Sequence, residues 1–238
     1  RMTFTFESTT DDVLDGIDLS GRRFVITGAA SGLGEESTRA LAAHGASILM
    51  LARDPQKNAD AAERVRAAVP DADLSLDTVD LADLSSVRAF AGRYLDSSRP
   101  IDVLMNNAGV MACPFGHTAD GFEMQFGTNH LGHFALTGLL MPRLLENPDG
   151  ARVVTVSSMG HRAGRMHLDD PHFERRRYQR WGAYFESKLA NLLFTTELHR
   201  RLAAAGSTVT ALAAHPGTAS TELGKDGTST TNWVIRNF

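Results

Sequence analysis

Tyr184 and Lys188 stand four residues apart in the stretch Ala183-Tyr184-Phe185-Glu186-Ser187-Lys188. On a helix that spacing places both side chains on one face. A free phenol ionises near about 10 and is a poor base at neutral pH, but a neighbouring positive charge favours the phenolate. A tyrosine tuned in this way takes a proton from an alcohol or gives one to a carbonyl oxygen. The same spacing also occurs on solvated helix faces, so the pair gains meaning only from its setting.

A second group of residues suits a phosphate. Thr27-Gly28-Ala29-Ala30-Ser31-Gly32-Leu33-Gly34 spaces its glycines as G-x-x-x-G-x-G between an apolar run and a helical pattern. Glycines at a strand-to-helix turn permit a tight bend and close backbone approach to a pyrophosphate, and the following helix offers unpaired N–H groups and a favourable dipole. Gly28, Ser31, Gly32, Leu33 and Gly34 are therefore candidate dinucleotide contacts. The next apolar run ends in Leu51-Ala52-Arg53-Asp54. An acid there suits the ribose 2′-hydroxyl of NAD, and an arginine the 2′-phosphate of NADP. Arg53 takes the position and favours NADP; Asp54, one residue on, keeps NAD as the alternative. Asp80 and Leu81 follow a third run and are expected to flank the adenine, although Asp80 could equally cap the next helix. In Asn106-Asn107-Ala108-Gly109, two amides and a glycine can tie strand ends together and leave room for a cofactor; the bare tetrapeptide reads as a turn. Asn107, Ala108 and Gly109 join the candidates.

These positions need a scaffold that brings them to one edge. Apolar runs at Phe24–Thr27, Ile48–Ala52, Leu74–Val79, Val103–Met105, Val153–Val156 and Val209–Ala213 read as strands. Helical patterns lie between them: Glu35–His44, stopped by Gly45; Ala59–Val69, capped by Asn58 and ended by Pro70; Ser86–Leu95; a region from Gly121 to Leu145, as one helix or two; and Tyr184–Ala204. Short apolar strands alternating with helices predict a parallel sheet with right-handed crossovers. The expected fold is α/β, a single doubly wound Rossmann-type domain whose parallel sheet is flanked by helices. Ligands of such sheets lie outside the carboxyl ends of the strands, where the motifs above fall.

Composition excludes several classes. The 238 residues are 42% hydrophobic and 22% charged, enough for one sizeable core. A net charge of −4 gives no footprint for nucleic acid. Apolar stretches such as Phe134–Met141 fall short of the roughly 20 residues a membrane span needs, and the acidic, Thr-rich start is unlike a signal peptide. A lone cysteine, Cys113, excludes an intrachain disulfide and fits a cytoplasmic setting. The nine histidines lack paired metal spacing, so no metal is expected. No nucleic-acid or membrane partner is expected; assembly as a homo-oligomer stays open.

Together, TGAASGLG, NNAG, Tyr-x-x-x-Lys and His215-Pro216-Gly217 resemble the short-chain dehydrogenase/reductase family over residues 20–223. NNAGVMACPFGHTADGFEMQFGTNHLGHF, SKLANLLFTTEL and the stretch from His215 to Leu223 resemble its retinol-dehydrogenase-like branch. The resemblance implies Tyr184 as the acid/base and Lys188 as the residue that binds the nicotinamide ribose and lowers the tyrosine pKa. Ser158, rather than Ser157, is implied to bond the substrate oxygen. Asn129 matches the residue that distorts its helix and holds a relay water. Tyr184, Lys188, Pro216, Gly217, Thr218 and Thr221 are then cofactor contacts as well.

The implied activity is an NAD(P)-dependent oxidoreductase that interconverts a carbonyl and a primary or secondary alcohol on a small hydrophobic substrate, with NADP preferred. The alternative is an inactive dinucleotide-binding regulatory or scaffold protein. Residues 1–20 read as an N-terminal extension, 21–223 as the domain, and 224–238 as a tail from an incomplete substrate-binding region. Ser158 and Tyr184 lie 26 residues apart, more than in the shortest family members. The segment Met159 to Ala183 shows no clear periodic pattern. Met166, Phe173 and Trp181 suggest a lid over an apolar substrate, with Arg175, Arg176 and Arg177 facing water.

Overall fold

The computed structural model describes residues 4, 5 and 7–217. Six strands, β1 (Arg23–Thr27), β2 (Ser47–Ala52), β3 (Leu74–Thr78), β4 (Val103–Asn106), β5 (Arg152–Val156) and β6 (Thr210–Ala214), form one sheet in the order β3-β2-β1-β4-β5-β6. Every pairing is parallel. Parallel central strands are covered on both faces, which is why β1 and β2 read as unbroken apolar runs. Alternate residues supply the two faces. Val25, Leu49, Leu51, Leu104 and Val153 pack on one side and Phe24, Ile26, Ile48 and Met50 on the other.

The helices follow. α1 (Thr10–Leu14) precedes the sheet and is held to α2 (Gly32–Ala43) by Arg39 on Asp11, at 2.9 Å. α2 and α3 (Pro55–Ala68) cover one face, where Ala42, Ala61 and Ala62 let the backbones approach. α4 (Leu84–Asp96) and α6 (Gly132–Leu145) cover the other through Val87, Phe90, Leu136, Leu140 and Leu144. α5 is a single turn, Met124–Phe126, and α7 is the long helix Arg180–Ala204 against β5 and β6. The strand order reverses between β1 and β4, which opens a crevice at their carboxyl ends. Among the described residues no helix is long and apolar enough to cross a membrane.

Four local expectations are corrected. Asn58 does not cap α3: Asp54 does, accepting from the Gln56 and Lys57 N–H groups. Asn58 lies buried inside the helix and donates to Met50 O and Asp77 O, which ties α3 to β2 and β3. The region from Gly121 to Leu145 is neither one helix nor two plain ones. α5 passes into a π-helical turn, Gly127–Leu131, and then into α6. Tyr184 does not open its helix either, since α7 starts a full turn earlier. Asp83, not Asp80, caps α4.

Candidate active site

The crevice holds one cleft of about 630 Å³. Its floor is the glycine turn. Gly28 has a φ of +66°, and a Cβ there would come within 2.8 Å of Ala108 Cα. A Cβ on Gly34 would collide with the Gly28 carbonyl. Both positions exclude a side chain because the turn folds back on itself and against β4's end. Ser31 makes no capping bond to α2, so the first-turn N–H groups are left to a ligand. Thr27 joins the neighbouring turn: its Oγ1 accepts from Asn107 N at 2.9 Å and Ala108 N at 3.0 Å, while Asn107 Nδ2 donates to Thr27 O at 2.9 Å.

The cleft brings together Gly28, Ser31, Gly32, Leu33, Arg53, Asp80, Leu81, Asn107, Ala108, Gly109, Ser158, Tyr184, Lys188, Pro216 and Gly217. Gly34 supports the turn from behind. Thr218 and Thr221 lie outside the described residues. Lys57, Val79, Thr128 and Met159 also line the cleft and were not expected. Lys57 had a readable signal, since it follows Arg53 by four residues in the first turn of a capped helix. Asp80 faces the cleft while its Oδ1 accepts from Ala82 N at 2.9 Å.

At the other end the two serines of Val156-Ser157-Ser158 part company. Ser157 is buried and donates to Lys188 O at 2.8 Å. Ser158 lines the cleft with Tyr184, and its Oγ accepts from Gly160 N at 3.1 Å. Lys188, 3% exposed, donates from Nζ to Val156 O at 3.1 Å and sits 5.9 Å from the centre of the Tyr184 ring. Burial lowers its pKa to about 8. Burial raises the Tyr184 phenol, against a downward pull from Ser158. Without a bound cation the tyrosine is thus held as the neutral acid, the form that donates to a carbonyl.

Asn129 occupies the π-helical turn and is fully buried. Its side chain accepts from Val110 N at 2.7 Å and donates to Val110 O and Ser187 Oγ, each at 2.9 Å. Ser187 Oγ donates in turn to Tyr184 O at 2.7 Å. The distorted turn therefore grips α7 beside the tyrosine. A Cβ on Gly109 would sit 3.1 Å from Asn129 Oδ1 and 3.5 Å from Lys188 Nζ, so this glycine keeps the space between them open.

The segment Met159 to Ala183 differs from the expected lid. It begins with a 3-10 turn, Met159–Ala163, and ends in the first turn of α7. Trp181 and Met159 do line the cleft. Phe173 does not. It is buried under Arg176, whose guanidinium lies 4.0 Å from the ring centre, and against Tyr178. Arg176 does not face water but pairs with the buried Glu186 of α7 at 2.9 Å. Tyr178 donates to Cys113 O at 3.1 Å and accepts from Gln125 Nε2 at 2.8 Å, which ties the segment to the loop after β4. Among the described residues no three His, Cys, Asp or Glu side chains could hold a metal ion.

The cradle fits a nicotinamide dinucleotide: glycines where a side chain would block the backbone, a helix start for the phosphates, and a tyrosine and ammonium at the far end. The family model described as short chain dehydrogenase matches residues 22–232. Retinol dehydrogenase 13 of Homo sapiens is 44% identical over 207 residues, covering 87% of this chain and 62% of that protein. Retinol dehydrogenase 12 of Homo sapiens is 46% identical over 207 residues, with 87% and 64% covered. The chain thus spans less than two thirds of the length of these relatives. A solved structure of an uncharacterized protein from Mycobacterium Paratuberculosis has 53% identity and a TM-score of 0.77 over 88% of this chain and 73% of that one. A short-chain dehydrogenase/reductase from Burkholderia phymatum in complex with NAD shares the fold at 24% identity, with a TM-score of 0.72 over 92% of this chain and 78% of that one. With a family match that runs through every strand of the sheet and a relative of 44% identity over 87% of the chain, the chain belongs to the short-chain dehydrogenase family, in its retinol-dehydrogenase-like branch.

Proposed function

We propose that the protein is an NAD(P)-dependent oxidoreductase that interconverts a carbonyl and an alcohol on a small hydrophobic substrate. The observation that carries this reading is one continuous cleft with a glycine turn at its start and Ser158, Tyr184 and Lys188 at its end. When bound, the nicotinamide supplies or accepts the hydride. Ser158 holds the substrate oxygen, and Tyr184 gives it a proton or removes one. Lys188 holds the ribose hydroxyls, and its positive charge draws the phenol toward ionisation once both are engaged. The Asn129 side chain is committed to Val110 and Ser187, so its part in this reading is to hold α7 in place behind Tyr184. The test is NADPH consumption against a panel of ketones and aldehydes. An inactive binding protein would hold NADPH in the cleft and consume none with any carbonyl.

NADP is the preferred cofactor in this reading. Arg53 and Lys57 are exposed at the cleft end where β2 stops, so two cations are available to a 2′-phosphate. Asp54, the acid that would suit NAD, is engaged as the cap of α3. Arg53→Ala is expected to weaken NADPH binding by about 1.5–3 kcal/mol, the range for a hydrogen bond to a charged group. Binding of NADH should change far less. Equal losses for both cofactors in a titration, or a wild-type preference for NADH, would reject the assignment.

Substrate discrimination falls to Trp181. Its ring meets Tyr184 edge-on, with centroids 6.2 Å apart and planes at 86°, and it shares the cleft wall with Met111 and Met159. Trp181→Ala should shift the kcat/KM ratio between bulky and small ketones by about 10-fold, since removing an apolar wall changes discrimination by about 1–3 kcal/mol. NADPH affinity stays intact. Phe173→Ala is the contrast: it costs about 3 kcal/mol or more of stability and leaves the ranking alone. A Trp181 variant with the wild-type ranking removes this residue from the substrate wall.

A further inference from the structure

One buried histidine, absent from the cleft and from the chemistry above, joins the two halves of the site. His133 is 1% exposed and is the second residue of α6, directly after the π-helical turn. Its Nδ1 lies 2.9 Å from Asn129 O and its Nε2 lies 2.9 Å from Thr27 Oγ1. Asn129 grips α7 behind Tyr184, and Thr27 organises the turn that carries Asn107 and Ala108. One imidazole therefore spans from the tyrosine's support to the floor of the dinucleotide cleft.

The hydrogens on these atoms can be placed by elimination. A carbonyl oxygen only accepts, so Nδ1 must carry the proton that reaches Asn129 O. Thr27 Oγ1 already accepts from the Asn107 and Ala108 N–H groups, which uses both its lone pairs. Its own proton then has two acceptors in reach, His133 Nε2 at 2.9 Å and Met105 O at 3.3 Å. A neutral ring with Nδ1–H and a bare Nε2 satisfies every atom and points the Thr27 lone pairs at the two amides. The opposite tautomer would set a bare Nδ1 against a carbonyl and an N–H against a filled hydroxyl. Burial outweighs the bond to Asn129 O and, with Lys188 and His130 nearby, lowers the His133 pKa to about 4, so the ring stays neutral at working pH.

We propose that His133, as the neutral Nδ1–H tautomer, is a positioning residue that holds the Asn129 turn in register with the Thr27–Asn107–Ala108 turn, and so aligns Tyr184 with the nicotinamide seat. It touches neither substrate nor cofactor. The π-helical turn makes such a strut necessary, because the distortion frees this part of the helix from the regular ladder that would otherwise fix its carbonyls. Cofactor capture is spread over the whole glycine turn and the Arg53 end, of which the imidazole meets one residue, Thr27. Loss of the strut is therefore felt in turnover more than in binding.

The test has two arms, because the kinetic one rests on the oxidoreductase reading and the spectroscopic one does not. Nitrogen-15 NMR of the histidine-labelled full chain should show His133 Nδ1 protonated and Nε2 unprotonated, with no titration from pH 8 down to about 5, as expected for a buried neutral imidazole. A protonated Nε2, or titration near the ordinary value of about 6.5, overturns the proposal whether or not the protein turns over any substrate. In the kinetic arm, His133→Phe keeps a planar aromatic ring and deletes both bonds. It should lower kcat by about 10- to 100-fold, the scale of a small misalignment at the reacting centre, while Kd for NADPH changes by less than about 3-fold. His133→Gln keeps an N–H for Asn129 O and should recover part of the lost kcat. A purely structural role would lower the melting temperature of both variants and leave kcat per folded enzyme unchanged, and that result overturns the proposal. A wild type inactive on every carbonyl defeats the oxidoreductase reading instead; the tautomer and the emission of bound NADPH, expected to fall in His133→Phe at constant Kd, then decide the strut.

Discussion

Tyr184→Phe is expected to lower turnover by at least about 100-fold, the low end for removing an acid–base group, with NADPH affinity little changed. The substitution deletes one oxygen and keeps the ring, which is 5% exposed and packs against Trp181 and Phe185. The fold should persist, because the phenol lines the cleft and the hydroxyl of Ser158, which lines it too, can turn to solvent. Stopped-flow consumption of NADPH with the best carbonyl of the panel, beside a binding titration, checks both halves. The pH dependence has a definite sign. Reduction needs the phenol protonated, and burial lifts its pKa above the usual value, so wild-type reduction falls only on the alkaline side. A Phe variant with near-normal turnover removes Tyr184 from the chemistry.

Lys188→Met should separate activity from stability. Turnover is expected to fall by at least about 100-fold, because the phenol loses its neighbouring charge, and NADPH affinity falls with it as the ribose loses a donor. Stability should rise. The folded pKa of Lys188 is about 8, below the roughly 10.4 of an unfolded lysine, so the charged form opposes folding. That cost is full below pH 8, shrinks as the pH rises toward about 10.4, and vanishes above it. Wild type should therefore gain up to about 3 kcal/mol across this window from Lys188 alone, and the Met variant should not. Removing the ammonium does not orphan its acceptor, because Val156 O keeps Asn191 Nδ2 at 3.3 Å. Urea denaturation at pH 7 and pH 10 measures the difference. A Met variant less stable than wild type at pH 7 would show that the ammonium is stabilising where it sits.

Much of the scaffold was legible because its signals are local. β1 and β2 are buried on both faces, so their sequences are unbroken apolar runs and could hardly be read otherwise. Glycine spacing announced the phosphate turn because Gly28 and Gly34 sit where any Cβ would strike the backbone. The spacing of Tyr184 and Lys188 was readable for the same reason, since helix geometry alone puts them on one face. Errors came where one residue type serves two ends. Asn58 has the capacity to cap a helix, and nothing nearby in the chain says that it spends its N–H groups on Met50 O and Asp77 O instead. Arg176 looks like a solvated charge until Glu186, on another element, stands opposite it.

By itself the sequence determined the order of strands and helices, the carboxyl-end placement of each motif, and most of the residues that the structure gathers around one cleft. These follow from period, glycine and cap, which act within a few residues. Tertiary structure alone decided that Ser157 is spent on Lys188 O and that Phe173 is scaffold while Trp181 is wall. It also decided that His133 reaches Thr27 across 106 residues of chain. The physical reason is that a buried polar group must find its partner wherever packing puts one, and that partner's distance along the chain leaves no mark in the local pattern.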